Sequence, residues 1–195
     1  MSTDAVTLFF ALLAVMAFAI TVGIVAIGVF GATSAGADVR SKVFGAFHGL
    51  ELWLAFAVAA TATLGSLYLS EVAHFVPCTL CWYQRIAMYP LAIILLIAAA
   101  RRDHGIRIYA ATLATLGAAV AVWHRLVQAY PDLEGGVSCD PNNPCSAAYV
   151  EQLGFITIPT MALCGFLCIL ALLWLDRFNS RTDTASLSQP EPEQA

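Results

Sequence analysis

Charge is what this sequence lacks. Asp, Glu, Lys and Arg make up 11% of its 195 residues, against about 25% in ordinary globular domains. Residues 5–37 carry no charge at all, and 60% of the chain is apolar. That is the composition of a membrane protein. No basic patch with interleaved aromatics is present, so the sequence carries no nucleic-acid footprint. No internal repeat stands out. The net charge of −4 names no partner, because acidic residues fall on both sides of the expected membrane. The doubled C-x-x-C spacing usual for structural zinc is also missing.

The few charges that exist divide the apolar sequence into five spans, at about 6–30, 46–69, 82–100, 107–128 and 153–175. The expected fold class is an all-α integral membrane protein with five transmembrane helices. Ala35-Gly36-Ala37 resembles a signal-peptidase site. The amino terminus, however, holds Asp4 and no basic residue, and the apolar run far exceeds a signal h-region, so a retained helix is expected. In the third span the uncharged core, Ile86–Ala100, has only 15 residues. At ~1.5 Å per residue it covers roughly 22 Å of a ~30 Å hydrocarbon layer, which places Trp82, Tyr83 and Arg85 at the interface. Pro90 and Pro159 predict kinks. Residues 178–195, rich in Ser, Thr, Pro and Glu, predict a disordered tail.

Five spans place the termini on opposite sides. Arg40, Lys42, Arg101, Arg102, Arg107, Arg177 and Arg181 share one side and are seven of the nine basic residues, so that side is expected to be cytoplasmic. The loops 70–81 and 129–152 then face the opposite, extracytoplasmic compartment, and they hold two cysteine pairs, Cys78/Cys81 and Cys139/Cys145.

Cys78 and Cys81 could be a passive disulfide, half of a zinc site or a redox centre. Their position favours the last. Cys81 lies at the start of a helix whose dipole stabilises a thiolate, and Arg85 sits one turn on. The pair also lies at the membrane surface, where a lipid-soluble electron acceptor would arrive. Cys139 and Cys145 bracket the turn-forming Asp140-Pro141-Asn142-Asn143-Pro144. Alone they read as structural, whereas beside the first pair they form a second dithiol able to exchange two electrons with it. Four thiolates on one zinc is the competing arrangement. Cys164 and Cys168 inside the fifth span read as packing residues. His124 and Arg125, near the outer end of the fourth span, are either an interfacial pair or a site near a quinone headgroup. His48 and Glu51 are expected to snorkel beside Arg40 and Lys42.

Two blocks of sequence resemble the disulfide-bond-formation protein B (DsbB) family, in particular its BdbC-type members. One runs from Gly65-Ser66-Leu67-Tyr68 through Pro77-Cys-Thr-Leu-Cys-Trp-Tyr-Gln-Arg-Ile-Ala-Met-Tyr-Pro90. The other is Pro144-Cys145 with Tyr149 and Leu153-Gly154-Phe155-Ile156-Thr157-Ile158-Pro159. The resemblance covers roughly residues 60–175. It implies a four-helix redox domain over 46–177, preceded by an extra transmembrane helix and cytoplasmic loop over 1–45 and followed by the tail 178–195. It further implies a cell-membrane thiol–disulfide oxidoreductase that reoxidises an extracytoplasmic thioredoxin-like thiol oxidase (DsbA/BdbD-type). Electrons would pass to a quinone, ubiquinone or menaquinone.

Cys78, Cys81, Cys139 and Cys145 match the family's catalytic cysteines. Cys81, Arg85 and, in the stretch ending at Gln128, His124 match its quinone site. The five-residue spacing within the second pair is that of BdbC-type members, and by chain order Cys139 is expected to take the partner's electrons. The alternatives are a vitamin-K-epoxide-reductase-like quinone reductase, whose active pair belongs in a late span, and a non-enzymatic membrane scaffold with structural disulfides or zinc.

Overall fold

The computed structural model describes residues 3–33, 36–136, 139–140 and 142–187. Ala35 and the end of the expected tail, 188–195, lie outside these. Among the described residues five helices are long and apolar enough to cross a membrane. They are α1 (Thr3–Phe30), α3 (Glu51–Leu67), α4 (Thr79–Arg101), α5 (Arg107–Ala129) and α6 (Ile158–Leu187), with a short α2 (Ala37–Ala46) after α1. The chain is therefore a helical, multi-pass membrane protein. A π-helical turn, Tyr68–Val72, extends α3. A two-stranded hairpin, β1 (Glu151–Gln152) and β2 (Ile156–Thr157), leads into α6.

The bundle is organised around α6, which packs against α1, α3 and α5, while α4 bridges α3 and α5. In lipid no hydrophobic force drives helices together, so contact depends on close backbone approach at small residues. α1 buries Ala11, Ala14 and Ala17, and its Gly28 meets the Trp174 ring, where a Cβ would come within 2.3 Å of the indole. On α5, a Cβ at Gly117 would stand 2.3 Å from the tip of the buried Phe166 ring. α6 is half buried over its span, as an apolar helix with neighbours on several sides must be.

Four expectations meet a different structure. Pro159 produces no kink: it is the second residue of α6, in the first turn, where its missing N–H costs nothing. Residues 153–157, counted in the fifth span, form the hairpin instead. Residues 178–187, expected to be disordered, continue α6. Packing explains their start: Phe178 stacks edge-on against Phe44 and lies under the Arg40 guanidinium at 4.8 Å.

Glu51, finally, does not snorkel. It is 2% exposed and accepts a 2.6 Å hydrogen bond from Asn179, whose amide also donates to the Phe44 carbonyl at 2.9 Å. A buried carboxylate is retained only when paired or hydrogen-bonded. Nearby, Asp176 is held by His104 (2.8 Å) and Arg107 (3.1 Å). These contacts tie α6 to α2, α3 and α5 at the end of the bundle away from the cysteines.

Candidate functional site: two cysteine pairs beside an apolar cavity

All four loop cysteines gather at one end of the bundle. Cys78 and Cys145 are buried with Leu80 and Val127, and Cys81 and Cys139 pack against them. Cys78 is the N-cap of α4. Its extended backbone (φ −71°, ψ 170°) turns the sulfur back over the first turn, where the Cys81 backbone N–H donates to it at 3.3 Å. The two sulfurs stand 2.8 Å apart, the Cys81 thiol donating when Cys78 is ionised. A third contact comes from α5, where His124 Nε2 stands 3.7 Å from Cys78 Sγ.

These donors determine where negative charge rests. The hydrogen bond from the Cys81 thiol is the largest cause holding Cys78 down to about 5, helped by His124 and the Cys81 N–H, while burial opposes it. A free thiol ionises near 8.5. The helix terminus thus serves Cys78, one turn earlier than the sequence suggested.

Cys139 and Cys145 form a disulfide, so the four-thiolate zinc arrangement is not what this structure holds. Cys145 is 0% exposed, whereas Cys139 is half-buried. The loop is docked by Glu134, whose carboxylate accepts from the Cys145 N–H at 2.5 Å and from the Ser146 hydroxyl at 2.6 Å. The Ser146 bond is the main cause keeping the Glu134 carboxyl below its usual range. His124 joins the two pairs: the nitrogen that approaches Cys78 lies 3.1 Å from the Cys145 carbonyl, and its other nitrogen meets the Gln84 amide at 3.1 Å. His124 is 2% exposed, packed inside the protein rather than facing headgroups, and the lining of the cavity described next does not include it.

That cavity, of about 730 Å³, lies between α1, α3, α4 and α6. Its walls are apolar except at the cysteine end, where Cys81, Gln84, Arg85, Ser66, Tyr89 and Tyr149 face it. Arg85 is fixed there: Nε donates to Ser66 Oγ and Nη2 to the Ser66 carbonyl, both at 2.9 Å. Its guanidinium lies 5.2 Å from the Trp82 ring centre, and Tyr89 donates to Ser66 Oγ at 3.2 Å. An apolar cavity with a few convergent polar groups at one end is the usual shape of a site for an amphipathic small molecule. Cys164 and Cys168 carry free thiols on α6, away from both pairs.

As metal ligands, Cys78, Cys81 and His124 place two sulfurs and a nitrogen within 4.8 Å of one another, a set with the softness zinc favours. In the other such group, Glu134, Cys139 and Cys145, the sulfurs are committed to the disulfide. The sequence named all four cysteines, Arg85 and His124. Gln84, Ser66 and Glu134 were missed. Gln84 and Ser66 had a readable signal, as polar residues inside apolar spans, Gln84 one turn after Cys81, whereas Glu134 had none.

Two dithiols at one end of a helical membrane bundle define the class of a membrane thiol–disulfide oxidoreductase. The family model described as "Disulfide bond formation protein DsbB" matches residues 50–175, and the chain belongs to that family. It is 44% identical over 124 residues to disulfide bond formation protein C of Bacillus subtilis, covering 64% of this chain and 90% of that one. A probable disulfide formation protein of Deinococcus radiodurans is 45% identical over 130 residues (63% and 85%). One of Coxiella burnetii is 40% identical over 141 residues (69% and 96%). No solved structure matches significantly. α1 and α2 precede the family match.

Proposed function

We propose that the chain oxidises a reduced, thioredoxin-like thiol oxidase outside the cytoplasm and passes the electrons to a membrane quinone. The observation that carries this reading is the position of Cys78/Cys81. On one side the pair touches the docked Cys139–Cys145 loop through His124, and on the other Cys81 faces the apolar cavity beside Arg85. The basic residues Arg101, Arg102 and Arg107 stand at the opposite end of the bundle from the cysteines, which supports an extracytoplasmic placement of both pairs.

The chemistry follows from exposure and charge. A thiolate of the partner attacks the Cys139 sulfur, the more accessible of the two, and Cys145 leaves with the electron pair. The partner's second cysteine then resolves the mixed disulfide, leaving the loop as a dithiol. The loop dithiol reduces Cys78–Cys81 by exchange. The quinone would be held by Arg85 and the Cys81 side of the cavity, and it supplies a two-electron sink that returns Cys78 and Cys81 to the disulfide. Ser66 and Tyr89 keep Arg85 aimed at the polar end, and the apolar walls exclude water from it.

The test is turnover by purified protein in nanodiscs, given a reduced thioredoxin-like partner and a ubiquinone or menaquinone analogue, with quinone absorbance as readout. Quinone reduction that is lost in both Cys139→Ser and Cys145→Ser is expected. Normal turnover by both variants refutes the relay, and no quinone reduction by the unaltered protein refutes the acceptor.

A further inference from the structure

Gln84 sits immediately before Arg85, just after the C-x-x-C pair, yet its amide turns toward α5 and meets His124. Both are buried. A neutral imidazole has one N–H and one bare lone pair. The Cys145 carbonyl can only accept, so the nitrogen facing it at 3.1 Å, Nε2, carries the hydrogen. The same N–H is directed at Cys78 Sγ. Nδ1 is then an acceptor and needs a donor, and the Gln84 NH2 supplies one at 3.1 Å. Amide orientation is set by the surrounding network, and with a neutral His124 the network leaves one consistent choice.

We propose that Gln84 is a positioning residue for exchange between the two cysteine pairs, its amide holding His124 in the tautomer whose Nε2–H serves the Cys78 sulfur and the Cys145 carbonyl. This rests on the relay described above. In that relay the Cys145 thiolate attacks Cys78 Sγ: the Cys78–Cys81 bond breaks, a Cys145–Cys78 bond forms, and the electron pair leaves on Cys81. The Cys139 thiolate then attacks Cys145 Sγ, and Cys78 departs with its electron pair. The loop is left as a disulfide and the first pair as two thiolates, the loop thiols having lost their protons to solvent beforehand. Cys78 is the leaving group of the second step, and stabilised thiolates leave faster. The His124 N–H is the donor that arrives from outside the C-x-x-C stretch itself.

Two variants separate positioning from packing. Gln84→Leu removes the donor. Gln84→Glu keeps the size but presents only acceptors when ionised, which favours Nδ1–H and leaves Nε2 bare. The exchange step is read without quinone, by mixing with reduced partner, quenching in acid and trapping thiols at Cys78 and Cys81. A hydrogen bond to a charged group justifies a slowing of about tenfold or more, expected in both variants. Gln84 also faces the polar end of the cavity, so quinone reduction is no control here and the step is read by thiol trapping alone. Imidazole 15N shifts should report Nε2–H in the unaltered protein and Nδ1–H in Gln84→Glu.

An Nδ1–H tautomer in the unaltered protein overturns the proposal, as does unchanged exchange in both variants. If the unaltered protein exchanges between pairs but reduces no quinone, the acceptor reading alone has failed. If it shows no exchange at all, the relay has failed.

Discussion

Replacing His124 with Leu should raise the ionisation midpoint of Cys78 by one to two pH units. The side chain is similar in bulk but lacks the donor 3.7 Å from Cys78 Sγ. A hydrogen bond to a charged group contributes about 1.5–3 kcal/mol, and one pKa unit is about 1.4 kcal/mol. Loss of this donor therefore moves the midpoint from about 5 to roughly 6–7. The direction follows from the charge: the donor favours the thiolate, so removing it makes protonation easier. The Cys81 thiol and N–H remain, which is why the value stays below that of a free cysteine. The assay is iodoacetamide alkylation of reduced protein between pH 4 and 9, with Cys78 resolved by peptide mass spectrometry. Cys164 and Cys168 lie within α6 and serve as slow internal references. A midpoint still near 5 in His124→Leu would show that Cys81 alone sets the charge, and the link between the pairs through His124 would have no electrostatic content.

Three further outcomes are expected. Arg85→Ala should slow quinone reduction at least tenfold while shifting thermal unfolding in detergent only slightly, because Arg85 is partly exposed and holds a single serine; unchanged quinone kinetics would remove it from the site. Gly165→Leu projects into the cavity, where a Cβ meets only Met88 at 3.6 Å and Val58 at 4.0 Å. It should impair use of quinones with long tails more than of short analogues, and equal effects on both would place the acceptor elsewhere. Gly117→Val drives a side chain into the Phe166 ring, and overpacking of that kind costs about 1–3 kcal/mol. A clearly lowered midpoint in thermal unfolding is expected, and an unchanged one would mean α5 and α6 are not in close contact there.

The spans were legible because charge marks them: Arg101, Arg102, Asp103 and Arg107 interrupt two apolar runs. The beginnings of helices were less legible. Pro159 reads as an interruption only until the hairpin before it shows that α6 starts at Ile158. The cysteine pairs were visible as residue types, but which sulfur carries charge depends on which residue caps α4, and a one-turn difference in the helix start moved that role from Cys81 to Cys78. Contacts between distant segments left no trace in the sequence. Glu134 is drawn to the Cys145 amide by a loop fold, and Glu51 finds Asn179, 128 residues later, only through the packing of α3 on α6. His124 was selected for its type and depth, whereas its partners could be known only from the bundle.

The packing of α1 on α6 has a consequence for biosynthesis. Thr7 at the start of α1 accepts a hydrogen bond from Gln152, 145 residues later, and α6, the main partner of α1, is made well after it. At about 5–20 residues per second, α1 waits roughly 7–30 s in the bilayer before α6 arrives. It must persist there without α6, and a 28-residue helix with no charge beyond Asp4 is able to do so. The cavity acquires its α1 and α6 walls only when these helices meet, so a nascent chain cannot hold an electron acceptor in this cavity until α6 has been inserted.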